Sequence, residues 1–209
     1  MKDAINSFAR KIPAWLVYVA GAGLSLWYLY LAATGEMGPE PIKPLEHALG
    51  ELALQLLILG LVISPLRRFA GINLVKFRRA LGLTAFFVVF AHLLVWLVLD
   101  LQSWQLIWKD IVKRPYITIG MVAFVICIPL AVTSNNYFTR RMGPAWNQLH
   151  KLTYAVIFLG GLHNVMVAKG LPLEPLIYMA VILGLLALRL IPRSRPVVAP
   201  GRVSTSINN

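Results

Sequence analysis

Four histidines are the residues of this 209-residue chain best suited to chemistry: His47, His92, His150 and His163. Two of them, His92 in FFVVFAHLLVWLVL and His163 in YAVIFLGGLHNVMVA, lie inside long apolar runs. An imidazole there costs free energy unless it is hydrogen-bonded or ligated. Two imidazoles on different helices at one depth are what haem iron requires for its two axial bonds. A single intramembrane histidine is as often a hydrogen-bonded packing residue, and a second at matched depth weakens that reading. The one cysteine, Cys127 in MVAFVICIPLAV, excludes a disulfide framework and a cysteine-based metal site.

Apolar segments must position these side chains. Hydrophobic residues make up 58% of the chain and charged residues 13%, and the mean hydropathy is +0.71. A soluble domain of this size cannot bury so much apolar surface, so a bilayer is the expected solvent. A crossing takes roughly 20 apolar residues. Six candidates are found, at about 13–33, 47–66, 80–99, 116–133, 150–168 and 174–191. Gly-, Pro- and charge-rich stretches such as GEMGPEPIKP and SNNYFTRRMGPAW separate them. The second candidate is the least regular because it carries Glu51 and Gln55. No internal repeat is visible, and no cleavable signal peptide is expected.

Lysine and arginine set the expected orientation. With the N-terminus cytoplasmic, inner segments hold 15 of these residues and outer segments 5. The expected fold is an all-α integral membrane protein, a six-transmembrane-helix bundle with both termini cytoplasmic. Residues 1–12 form a cytoplasmic N-terminus, 13–192 the transmembrane domain, and 193–209 a polar tail expected to be disordered. The formal charge of +12 then faces anionic headgroups rather than nucleic acid.

On this topology the third and fifth spans run in the same direction. His92 is eight residues before Asp100 and His163 six before Lys169, which puts both roughly 9–12 Å below the outer boundary. Gly160 and Gly161 would let a porphyrin or a neighbouring helix approach the backbone. Trp96, at i+4 from His92, could wall the same pocket. His150, in PAWNQLHKLTY, is 13 residues from His163, roughly 20 Å along a helix. At its depth the third span offers Arg78 and Arg79, which could hold a propionate or a phosphate but not iron. His150 is equally an interfacial residue beside Trp146 and Tyr154. His47 opens the second span with Glu51 at i+4, where it could cap a propionate, replace a ligand or accept protons; a water-exposed helix-start residue fits as well.

The ordered motifs PLEHALGELAL, RRALGL…AHLLVW, RPYITIG and WNQLHKLTY, followed by a histidine 13 residues on, resemble the MsrQ (YedZ) family over residues 10–192. These are the haem-binding membrane subunits of bacterial periplasmic methionine sulfoxide reductase systems, within the ferric-reductase-like transmembrane superfamily that includes NADPH oxidases and STEAP reductases. The resemblance implies electron passage across the inner membrane, from a cytosolic flavin reductase or reduced flavin to a periplasmic molybdopterin subunit, MsrP. That partner repairs methionine sulfoxide in oxidised proteins. It implies haem b and FMN as cofactors, and its haem histidines match His92, His150 and His163.

NADPH oxidases carry two histidines on the third span. Here that span holds only His92, with Arg78 14 residues earlier. The expectation is therefore one haem near the outer face on His92 and His163, with the inner cluster of His150, Arg78 and Arg79 serving a flavin. Two haems are the alternative. Trp96, Trp146 and Tyr154 line candidate electron routes, although such aromatics are more often packing or interface anchors. Outer loops 34–46, 100–115 and 169–174 are the expected docking surface. Two rival readings remain: a colourless transporter or proton channel with histidine relays, and a haem-bearing anchor without through-membrane transfer.

Overall fold

The computed structural model describes residues 2–168, 170 and 172–191. Lys169 and the tail from 193 lie outside the described residues. Among those described, every regular element is helical: α1 (Lys2–Lys11), α2 (Trp15–Ala33), α3 (Ile42–Pro65), α4 (Arg78–Leu94), α5 (Trp104–Lys113), α6 (Pro115–Val132), α7 (Asn136–Met142), α8 (Pro144–Leu149), α9 (Leu152–Val167) and α10 (Leu173–Leu190). Wider π-type turns prolong α3 over Leu66–Ala70 and α4 over Val95–Leu101.

Five helical segments are long and apolar enough to cross a membrane: Trp15–Ala33, Ile42–Ala70, Val75–Leu101, Pro115–Val132 and Leu173–Leu190. They match the first, second, third, fourth and sixth expected crossings, with the second and third longer than expected. The fifth differs. Its helix α9 has 16 residues, about 24 Å, and the continuous helix expected from His150 onward is interrupted, because His150 ends α8 and α9 begins at Leu152. Pro144 and Gly143 start α8 as a separate short helix.

Surface chemistry explains the arrangement. Helix α2 is apolar all round and buries only Gly21, leaving Val19, Leu26, Trp27 and Tyr30 more than half exposed. An apolar patch of this extent is stable only against lipid or another apolar surface. Helix α3 is the centre of the bundle. Its stripe Leu45, Leu49, Leu52 and Leu56 packs on Ala85 and Val88 of α4. A second stripe, Leu54, Ile58 and Leu61, packs on Ile157 of α9 and Ile182 of α10. Helices α6 and α9 form a further pair around Cys127, Leu130 and Val156. Phe124 of α6 stacks on Phe86 and Phe90 of α4, with ring centres 5.8 and 6.3 Å apart.

Glu51 and Gln55 are tolerated inside α3 because they bond each other and Tyr178 of α10. Arg189 of α10 likewise donates to Leu61 O (2.7 Å) and to the Tyr154 hydroxyl (3.0 Å). These polar groups at helix depth find partners across a helix interface.

Gly21 marks a close approach of α2 to α4, since a Cβ there would overlap the methyl group of buried Thr84. Gly21→Val is expected to lower the thermal midpoint of the detergent-solubilised protein, in line with an overpacking cost of about 1–3 kcal/mol. Gly23→Val, which points into open space, is expected to leave the midpoint nearly unchanged.

Candidate functional site

The two histidines on which the sequence reading centres come together. The ring centres of His92, near the C-terminal end of α4, and His163, near that of α9, are 6.3 Å apart, with their planes at 82°. Each ring is fixed by the same device. His92 Nδ1 lies 2.8 Å from Glu46 O, and His163 Nδ1 lies 2.8 Å from Tyr116 O. A backbone carbonyl only accepts, so each Nδ1 is the protonated nitrogen and donates to it. The proton's position follows from its partner, and Nε2 of each ring keeps its lone pair. This is the arrangement of a metal-ligating imidazole, whose second nitrogen donates to a carbonyl and thereby fixes tautomer and orientation.

Glycine permits the approach on both sides. A Cβ at Gly50 of α3 would stand 3.2 Å from His92 Cε1, and one at Gly120 of α6 would stand 2.9 Å from His163 Nδ1. In each case the glycine lies four residues after the residue whose carbonyl accepts, on the same helix face. The two halves repeat each other: a carbonyl, a glycine one turn later, and a histidine 46 or 47 residues beyond the carbonyl.

Both rings line a cavity of about 580 Å³, within the range of small-molecule and cofactor sites. Its walls include Leu54, Leu57, Phe124, Val156 and the buried Trp96, with Gly160 on the α9 side. Lys43, His47 and Arg114 stand at its polar end. Imidazole–metal bonds are about 2.0 Å, so two rings on opposite sides of one metal have centres roughly 6 Å apart. The observed spacing and the free Nε2 atoms fit a metal with two axial imidazoles. The apolar walls with cations at one end fit a flat apolar macrocycle bearing carboxylates. Among the described residues no group of three or more His, Cys, Asp or Glu is placed to hold a metal ion.

The other expected residues separate. His150 stacks on Trp146 with ring centres 3.8 Å apart, and its Nε2 lies 3.0 Å from Thr133 Oγ1. It does not line the cavity. Arg78 and Arg79 are also outside it; Arg79 donates to Asn136 Oδ1 (2.8 Å), and the charges of both act on the His150 ring. His47 is exposed at the cavity end. No hydrogen bond joins it to Glu51 among the described residues; Glu51 Oε1 accepts from Gln55 Nε2 (2.8 Å) and the Tyr178 hydroxyl (2.7 Å). The two adjacent glycines divide the expected roles: Gly160 lines the cavity, while Gly161 packs under Ile182 and Met179 of α10.

Comparison with known proteins identifies the family. Residues 14–161 match the model of the family described as ferric reductase like transmembrane component. The chain is 50% identical over 188 residues to the protein-methionine-sulfoxide reductase heme-binding subunit MsrQ of Agrobacterium fabrum, covering 87% of this chain and 86% of the relative. It is 47% identical over 198 residues to the protein of the same name from Brucella ovis, covering 91% and 90%. The chain belongs to the MsrQ family of ferric-reductase-like transmembrane proteins. No solved structure matches it. As a member of this family with several apolar helices, it is a multi-pass membrane protein.

Within this MsrQ-family chain, four site residues escaped the sequence reading: Glu46, Tyr116, Gly50 and Gly120. The first two act through main-chain oxygens, which no side-chain pattern reports. The glycines were visible in HALGELA and YITIGMVA, each inside an expected crossing, and a glycine there permits close approach of another group.

Gly120→Leu is expected to push His163 off the Tyr116 carbonyl and to cut the haem retained per purified chain several-fold. Gly82→Leu, on α4 with open space around it, is expected to retain the wild-type amount.

Proposed function

We propose that this chain is a haem-containing electron-transfer subunit of a methionine sulfoxide reductase system. In this reading it passes electrons from a cytosolic flavin reductase or reduced flavin across the bacterial inner membrane. The acceptor is a periplasmic molybdopterin subunit of the MsrP type, which repairs oxidised proteins. One observation carries the reading: two imidazoles 6.3 Å apart, each with Nδ1 committed to a backbone carbonyl, in an apolar cavity. The name borne by the relatives supplies the substrate system.

The residues have separable tasks. His92 and His163 are the proposed axial ligands of one haem b. Lys43 and Arg114, which line the cavity and pair with Glu46 and Asp100 and with Asp110, are proposed to exchange those partners for its propionates, and Trp96 walls it. Bound there, haem supplies a one-electron carrier inside the hydrocarbon; the protein supplies ligation, burial and orientation. The proposed topology has six crossings with both termini cytoplasmic, α9 being the fifth in chain order. Lysine and arginine asymmetry and the placement of α9 against α3, α6 and α10 support it.

At the opposite end, the charges of Arg78 and Arg79 act on the His150 ring, which stacks on Trp146, and this group is proposed to receive the phosphate of FMN. Arg189 lies close enough to share the field of Arg78 and adds to the same positive region. His47 is proposed as a cavity-mouth residue.

The test is an optical spectrum of the purified protein with haem and flavin quantified per chain. One low-spin b-type haem per chain is expected, reducible by reduced FMN. His92→Ala and His163→Ala are each expected to abolish it, and His150→Ala to leave it in place. Full haem in either of the first two variants would overturn the ligand assignment. A colourless wild type, expressed with haem supplied, would return the histidines to a proton-relay reading.

A further inference from the structure

The cavity has one wall that ligation does not use. Glu51 of α3 lines it, and its side chain belongs to a closed triangle of hydrogen bonds. Gln55 Nε2 donates to Glu51 Oε1 (2.8 Å) and to the Tyr178 hydroxyl (2.8 Å), and that hydroxyl donates to the same Oε1 (2.7 Å). All three bonds leave Glu51 Oε2 uninvolved. No salt bridge neutralises Glu51 among the described residues: Lys43 is paired with Asp100 and Glu46, and Arg114 with Asp110. An intramembrane carboxyl held without a cation is expensive as an anion and is a functional group by default.

Its surroundings point to a role. On α3, His47 stands one turn nearer the polar end and also lines the cavity. On the same wall system are Glu46 and Lys43 of α3, His92 of α4, His163 of α9, and Arg114 and Tyr116 at the start of α6. On α10, Tyr178 carries the field of Glu174 as well as that of Glu51. The carboxyl therefore shares one low-dielectric cavity with the two imidazoles, with an exposed histidine between it and outside water. A charge that appears between the imidazoles acts on Glu51 with little screening.

We propose that Glu51 is a proton-exchange site coupled to the redox centre between His92 and His163. When a one-electron reductant delivers an electron to that centre, the Glu51 carboxylate takes one proton from water at the cavity mouth, an O–H bond forming at the carboxyl. When the electron leaves, the bond breaks and the proton returns to water. The added negative charge is offset inside the cavity, and by linkage the electron affinity of the centre rises as the proton concentration rises. The Tyr178 and Gln55 donors both bond Oε1 and hold the carboxyl against the cavity wall. The inference rests on the haem reading given above.

The experiment is a mediated spectroelectrochemical titration of the full-length holoprotein in lipid nanodiscs, repeated from pH 5 to pH 9. Haem content is measured first for every variant. Wild type is expected to show a potential that falls with rising pH, at up to about 59 mV per tenfold change in proton concentration for a one-electron couple. Glu51→Gln is expected to keep the haem and lose most of that slope. Tyr178→Phe, which removes one donor to the carboxylate, is expected to keep the slope and move its window to higher pH. His47→Ala is expected to keep the slope.

A pH-independent wild-type potential would overturn the inference. So would a slope unchanged in Glu51→Gln, or one lost in His47→Ala and not in Glu51→Gln. A wild type without haem would instead overturn the functional reading on which the inference rests. If Glu51→Gln fails to retain haem, Tyr178→Phe decides: an unmoved window overturns the inference.

Discussion

Everything in this bundle that bears on chemistry depends on a pair of hydrogen bonds from imidazole Nδ1 to main-chain oxygen. A histidine in hydrocarbon has two nitrogens to satisfy and no water. At His92 and His163 the carbonyls of Glu46 and Tyr116 satisfy one nitrogen each. The other nitrogen is left with a lone pair, and its direction is held by the first. Removing either carbonyl contact would leave a ring free to rotate, with a polar atom to bury. Glycines at 50 and 120 follow from that constraint, because only a missing side chain lets a ring reach the acceptor of a neighbouring helix.

The rest of the fold serves these contacts. The stripe of leucines from Leu45 to Leu56 locks α3 to α4 and so sets the depth of Glu46 against His92. Cys127, Leu130 and Val156 do the same for α6 and α9. The phenylalanine stack between α4 and α6 brings the two pairs side by side. Side-chain triangles such as Glu51, Gln55 and Tyr178 fasten the outer helix α10 to the centre. Apolar packing gives the frame and a few directional bonds give its register.

Much of this was legible in the sequence. The helices around residues 13–33, 116–133 and 174–191 were read nearly to their observed ends, because apolar runs and Pro/Gly breaks report the length of a crossing directly. The shared depth of His92 and His163 followed from counting residues to the next charge. The break at His150 was not legible, since LHKLTY holds no Gly or Pro to mark a turn, while His150 and Trp146 both bond to Thr133 on the preceding crossing. The repeated carbonyl–glycine–histidine relation was missed because its spacing joins different helices and half of it is main chain. Glu51 was read as an irregularity of the second crossing and as a residue able to orient His47; of its two partners Gln55 is local, while Tyr178 is 127 residues away, beyond any local pattern.

The division of the site between two helical hairpins has a consequence for assembly. Helices α3 and α4 form one closely packed pair and α6 and α9 another, with sparser packing between the pairs. Each hairpin carries one imidazole and the carbonyl and glycine that hold it. A group bound by both rings would therefore act as a clasp across the weaker seam. Anything that binds only the assembled form adds RT ln(1 + [L]/Kd) to its stability. The lifetime of the closed bundle would then follow the supply of that group in the cell, and chains made in its absence would be the ones whose hairpins part first.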